Sequence, residues 1–460
     1  MATIVVDLRI PGKPRLMADT QAVHAQDRES SGLKRAVTPA MLLLFVVGDM
    51  VGGGIYALVG EVGGRVGGAI WSGFALALLL ALFTAGSYAE LATKYPKAGG
   101  AALYVHRAFG VPFVTFLLGF AVMMSSITSA AALSRAFGGD YLSEFVDLPV
   151  IITGLVVVGL IAAINFRGIG ESVKVNVACT IVELLGLLLV IAIGVAFVSG
   201  GDGDPGRAFE FKQGSDSIPF LVLAGASLSF YALIGFEDSV NLAEEAQEPS
   251  RAYPRAIFGG LAIGGVIYTA VAIVASMSVP TDKLADSDGP LLEVVQLGPL
   301  AVDTKLFAAI ALFSLANTIL INLITASRLL YGMGQEGVVP GIFRKVNPKR
   351  HTPIAAILFS TGVAMALILT GDLEALADTT VTLLLIAFIG VNLAVLGSRR
   401  DVVDHDHFRV PSWIPVVGVV VCAGLLTQRE AEIWLRAGIL LVIGLVLYAI
   451  SVAFTRREAE

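Results

Sequence analysis

Runs of about 20 apolar residues recur along this chain from Thr38 almost to its C-terminus, separated by short polar stretches. A run of that length crosses the hydrocarbon core of a bilayer as a helix. The pattern predicts twelve helices, at 38–61, 67–91, 112–136, 149–166, 174–199, 217–243, 254–279, 303–331, 353–371, 375–397, 411–428 and 432–455. The fold class expected is therefore an all-α polytopic membrane protein. Between the second and third runs, residues 94–110 read as a turn followed by a short amphipathic helix. The polar 199–216 and 279–304 connections, rich in Gly, Asp and Pro, read as irregular loops.

Two runs carry an interruption. The first contains Gly48-Asp49-Met50-Val51-Gly52-Gly53-Gly54-Ile55-Tyr56, which places four glycines and a carboxylate in the middle of the helix. Each interior glycine lowers helix stability by roughly 1 kcal/mol relative to alanine. In hydrocarbon an unpaired backbone group costs several kcal/mol more. Such a break survives where it is packed in protein or lines a polar cavity, as the discontinuous helices of secondary transporters do. The sixth run is disturbed at Ser229-Phe230-Tyr231-Ala232-Leu233-Ile234-Gly235-Phe236-Glu237-Asp238. The two breaks lie five helices apart in opposite orientations, as an inverted five-plus-five repeat would place them. The competing reading of a glycine-rich span is a packing surface of small residues.

Composition agrees: 56% of the 460 residues are hydrophobic and 15% charged, and the mean hydropathy is +0.82. Of the 31 Lys and Arg, 23 fall on one side if the N-terminus is inside, and 8 on the other. That asymmetry places both termini in the cytoplasm. Residues 1–37 are polar with no apolar core, so they are expected to be a cytoplasmic tail and not a signal peptide. Net charge, at -6, is mild and says little about partners. Cys179 and Cys422 fall inside apolar runs, where lone cysteines behave as small apolar residues. No metal site is expected; His405-Asp406-His407 lies in a polar loop, where such clusters arise by chance. No phosphate-binding loop is present, which argues against ATP-driven transport, and no nucleophile and base stand at a spacing that suggests an enzyme.

Three stretches resemble the amino acid–polyamine–organocation permeases. They are the glycine run at 48–56; Ser87-Tyr88-Ala89-Glu90-Leu91 with Tyr95-Pro96, Gly99-Gly100 and Ala108-Phe109-Gly110; and 230–237 followed by Glu244-Glu245, Pro249, Arg251 and Pro254. Ser327-Arg328-Leu329-Leu330-Tyr331 fits as well. The wording is nearest to bacterial permeases that resemble the cationic amino acid transporters. This resemblance implies the leucine-transporter fold: a ten-helix core at 38–397, with inverted repeats at about 38–199 and 217–397, and two appended helices at 411–455. It implies a secondary transporter of amino acids or related amines in the cytoplasmic membrane, working by alternating access and coupled to protons. It also implies a midplane site in which the substrate carboxylate meets the amides of Gly52, Gly53 and Gly54. The ammonium would meet carbonyls near Met50, Phe230, Ala232 and Ile234, and Tyr231 would cap the substrate. Elementary electrostatics agrees, because the exposed N–H groups of a half-helix attract anions.

Carboxylates inside a membrane cost on the order of 2.5–3.5 kcal/mol each and mark functional sites. Asp49, Glu183, Glu237 and Asp238 qualify. Asp238 has a simpler reading as a cap on the second half of the sixth helix, whereas Glu237 matches a position often acidic in the family. In proton-coupled relatives the fifth helix reads Val-Asn-x-x-x-Thr-x-x-Lys. Here it reads Val175-Asn176-Val177-Ala178-Cys179-Thr180-Ile181-Val182-Glu183, with an acid in place of the lysine. Burial disfavours a carboxylate's charged form, so Glu183 is a candidate proton carrier, with a permanent Arg or backbone partner as the bland alternative. Sodium is the other candidate ion, and no organic cofactor is expected. The alternatives to a proton-coupled transporter are an amino acid or polyamine exchanger, and a non-transporting sensor or channel.

Overall fold

A computed structural model of the protein describes residues 37–97, 99–167, 173–214, 216–243, 246–298, 302–347, 350 and 352–459. The tail at 1–36, the Glu244-Glu245 pair, Lys349 and His351 lie outside the described residues. The fold is built of helices, and each of the twelve apolar stretches is helical. The side chain of Thr38 caps the first helix by accepting the Met41 N–H, and Pro39 sits at its first position, where a missing N–H costs nothing. This helix, α1 (Pro39–Met50), stops at Val51, and α2 (Gly53–Val66) restarts after an extended Gly52, bent by 42°. Then come α3 (Ile70–Lys94), the short amphipathic α4 (Gly100–Phe109), α5 (Pro112–Phe137), α6 (Val150–Phe166) and α7 (Val173–Ser199).

The sixth run forms α8 (Ile218–Ser229), which tightens into one 3₁₀ turn over Phe230–Leu233. Ile234 is extended, and Gly235 takes a φ of +121°, which favours glycine. A second 3₁₀ segment follows over Asp238–Leu242. Glu237 and Asp238 therefore introduce a five-residue 3₁₀ piece where an α-helical half was expected. The reversal at Gly235 and the return of the chain to Val37 leave no length for one: Ala246 bridges Val37, and Gln247 N–H donates to Val37 O (2.9 Å).

The remaining helices are α9 (Pro249–Ser278), α10 (Thr304–Gln335), α11 (Ile354–Thr370), α12 (Leu373–Gly397), α13 (Trp413–Leu426) and α14 (Ala431–Ala459). The seventh helix was expected from 254; it begins at Pro249 and takes Pro254 into its interior. Among the described residues, eight helices are long and apolar enough to cross a membrane, and the bent α1–α2 pair makes a ninth. Helices α6, α11 and α13 are apolar but shorter, at 14 to 17 residues. Leu160, Leu185, Val266, Leu358 and Leu435 are each at least 60% exposed, as suits a surface wrapped by lipid.

Ion pairs, most of them buried, fasten both ends of the bundle. At one end Arg65 of α2 bonds Glu374 (2.5 Å) and Asp378 (2.6 Å) of α12. Arg429, from the α13–α14 turn, also pairs with Asp378 and donates to Ser227 O of α8 (2.8 Å). At the other end the segment after α12 straps across α3. Glu90 pairs with Arg399 (2.9 Å) and accepts Val410 N–H (2.9 Å), and Lys94 donates to Ser398 O (2.6 Å). His405 spends its Nε2 on Thr93 O (3.1 Å). Burial and the adjacent Asp401 push the Tyr95 phenol above its ordinary pKa, so it stays the donor of its 2.5 Å bond to that carboxylate.

Candidate functional site: a cavity between two broken helices

The breaks in the first and sixth helices meet face to face. A Cβ on Gly235 would stand 2.9 Å from the carbonyl carbon and oxygen of Asp49, and one on Gly54 would stand 3.1 Å from Ala232 Cα. Backbone approaches backbone here because neither glycine carries a side chain. Beside this contact lies a cavity of about 50 Å³, room for a few water molecules. Met50, Gly52, Gly54, Tyr231, Ala232 and Ile234 line it, as do Asp49, Glu237 and Asp238. Gly53 and Phe230 do not. Gly53 backs onto Leu315 and Leu133, and Phe230 meets Phe388 edge-to-face (centroids 6.2 Å apart).

Orphan groups at the helix-one break find partners on neighbouring helices. The Gly53 N–H donates to Thr318 Oγ1 of α10 (3.1 Å), and Tyr268 of α9 donates its hydroxyl to Met50 O (2.5 Å). At the other break, Glu237 reaches back and accepts the Gly235 N–H (2.8 Å), fixing the turn it follows.

Glu183 is not among the residues lining the cavity and is fully buried. Tyr56 of α2 donates to its backbone carbonyl (3.0 Å), and Asn317 of α10 donates to its Oε1 (3.4 Å). Its Oε2 has no hydrogen-bond partner, and among the described residues no Lys or Arg pairs with it. The permanent Arg partner considered from sequence is thus not found; the contacts are neutral ones.

Sequence reasoning missed the rest of the wall. Ser125, Ser126 and Ser129 of α5, Thr318 and Asn322 of α10, and Thr380 and Leu384 of α12 also face the cavity. Tyr231 O–H and Ser129 Oγ lie 2.8 Å apart, and Asn322 donates to Ser129 Oγ (3.2 Å) and to Thr318 O (3.0 Å). The available signal was the i, i+4 spacing of Ser125 with Ser129 and of Thr318 with Asn322, which puts each pair on one helix face.

A profile of the amino acid permease family matches residues 40–453. The chain belongs to that family. It is accordingly a multi-pass membrane permease and not an enzyme. It is 27% identical over 451 residues to a branched-chain amino acid permease of Bacillus subtilis, covering 93% of this chain and 95% of the relative. A low-affinity putrescine importer of Escherichia coli is 27% identical over 433 residues, covering 91% and 93%. Human cationic amino acid transporter 4 is 29% identical over 396 residues, covering 81% of this chain and 61% of its own.

Proposed function

We propose that this permease is a secondary active transporter of amino acids or related amines, working by alternating access in the cytoplasmic membrane. The observation that carries the reading is the meeting of two broken helices around a buried polar cavity. The start of α2 offers the N–H groups of Gly52 and Gly54 to a carboxylate. Carbonyls freed at both breaks, near Met50, Ala232 and Ile234, suit an ammonium. A zwitterion satisfies both. Gly53, its N–H already held by Thr318, shapes the site, and Tyr231 closes one side of it. Relatives named for amino acid and putrescine transport support the same substrate range.

The core in this reading is the leucine-transporter arrangement, with inverted repeats at about 38–199 and 217–397, helices at 411–455 appended, and both termini cytoplasmic. The Arg65–Asp378–Arg429 cluster then lies on the external side and the α3 strap on the internal side. The cavity holds only a few waters, so the breaks must part to admit a substrate. Glu183 carries the coupling proton: it is buried, lacks a cationic partner and has one oxygen without a hydrogen bond. Asp49 and Glu237 are the next candidates, and sodium is the alternative ion. Uptake of a panel of labelled amino acids into proteoliposomes, with and without an imposed pH gradient, tests the reading. Saturable uptake accelerated by an inward proton gradient is expected. Uptake that requires sodium and ignores the gradient would replace the proton, and binding without uptake would favour a sensor.

A further inference from the structure

The hydroxyl and amide groups on the far wall of the cavity have their hydrogens already committed. Ser125 and Ser126 both donate to Val122 O of their own helix (2.7 and 3.2 Å), and Thr380 donates to Leu376 O (3.0 Å). This back-bonding is what Ser and Thr do in apolar helices. With the proton held in this back-bond, the oxygen lone pairs are free to accept from the cavity side. Asn322 is spent in the same sense. Its two amide hydrogens go to Ser129 Oγ and Thr318 O. The backbone carbonyl Thr318 O can only accept, so it fixes which way the amide points. Among the described residues nothing donates to Asn322 Oδ1.

The cavity is therefore polarised in its hydrogen bonding. Donors sit at the Gly52–Gly54 end, and acceptors on the walls of α5, α10 and α12. Asp49, Glu237 and Asp238 line the cavity as well, beside the two breaks, and among the described residues no Lys, Arg or His does.

We infer that Ser125, Ser126, Asn322 and Thr380 form a side-chain subsite that selects substrates whose distal group donates hydrogen bonds: a hydroxyl, amide, amine or guanidine. This rests on the reading of the Gly52–Gly54 end as the carboxylate site. An apolar side chain would cover the acceptors without pairing them, and a distal carboxylate would find a donor there only by breaking one of these back-bonds. Unmet groups of this kind weigh heavily in recognition.

The test is equilibrium binding to the purified full-length protein by pairs of amino acids matched in size. The pairs are serine with 2-aminobutyrate, ornithine with norleucine, and glutamine with glutamate. The first member of each pair is expected to bind at least about tenfold more tightly. In Ser126→Ala the ornithine-to-norleucine ratio should fall by about three- to tenfold, with norleucine binding little changed. Should that variant fail to fold, the pairs on the unaltered protein still decide. Equal affinities within the pairs would overturn the subsite and leave the transporter reading standing. Binding by no member of any pair would overturn the transporter reading beneath it.

Discussion

Gly235 lies back to back with Asp49, its Cα so close that an added methyl would stand 2.9 Å from the Asp49 carbonyl. Its φ of +121° is one that other residues adopt only at a cost. Gly235→Ala should therefore push the two helix breaks apart. A strain of about 1–3 kcal/mol and at least a tenfold loss of uptake are expected. Thermal stability in detergent and proteoliposome transport measure the two effects separately.

Gly54→Leu should abolish substrate binding in a protein that still folds, because the new side chain would press on Ala232 Cα and the Tyr231 ring. Gly53→Leu should act through packing instead, against Leu315 and Leu133, and cost more stability than its neighbour. Near-normal affinity in Gly54→Leu would refute the placement of the carboxylate.

Glu183→Gln imitates a permanently protonated carboxyl. Substrate-for-substrate exchange should persist, while accumulation driven by a pH gradient should be lost. Undiminished proton-driven accumulation would pass the role to Glu237 or Asp49. If Glu183 were only structural, the surviving protein would keep the pH dependence of the unaltered one.

Asp378 serves two arginines, Arg65 and Arg429, and the Arg429 side chain is fully buried. Asp378→Asn should destabilise the protein by about 3–5 kcal/mol, the usual cost of leaving a buried charge unpaired. Glu374 is 40% exposed, so Glu374→Gln should cost less than about 1 kcal/mol. Melting temperatures of the two variants in the same detergent check the ranking.

Cysteines placed in the 202–212 loop should react with an impermeant thiol reagent from outside intact cells. Those at 399–409 should react only after permeabilisation. The reverse pattern would invert the orientation read from Lys and Arg.

The elements that announced themselves in the sequence did so through local cost. Glycines and acids in an apolar run have no cheap explanation, so the interruptions at 48–56 and 229–238 were legible, as was the short amphipathic helix before α5. The serines of α5 and the Thr318–Asn322 pair were not. A hydroxyl that bonds its own helix is inexpensive anywhere in a membrane, and only the packing of α5 against α10 reveals which face it presents. The partners of Arg65 and Arg429 were equally hidden, since Arg65 joins acids more than 300 positions away and Arg429 an acid 51 positions back on another helix. The second half of the sixth helix is a 3₁₀ piece followed by the Val37–Ala246 bridge, a contact no local pattern encodes.

Tyr268 on Met50 O and Thr318 on Gly53 N–H tie one backbone group on each side of the helix-one break to a neighbouring helix. The two bonds pin the edges of the break to α9 and α10. If the breaks part to admit a substrate, as proposed above, these two bonds carry the movement of the first helix into α9 and α10.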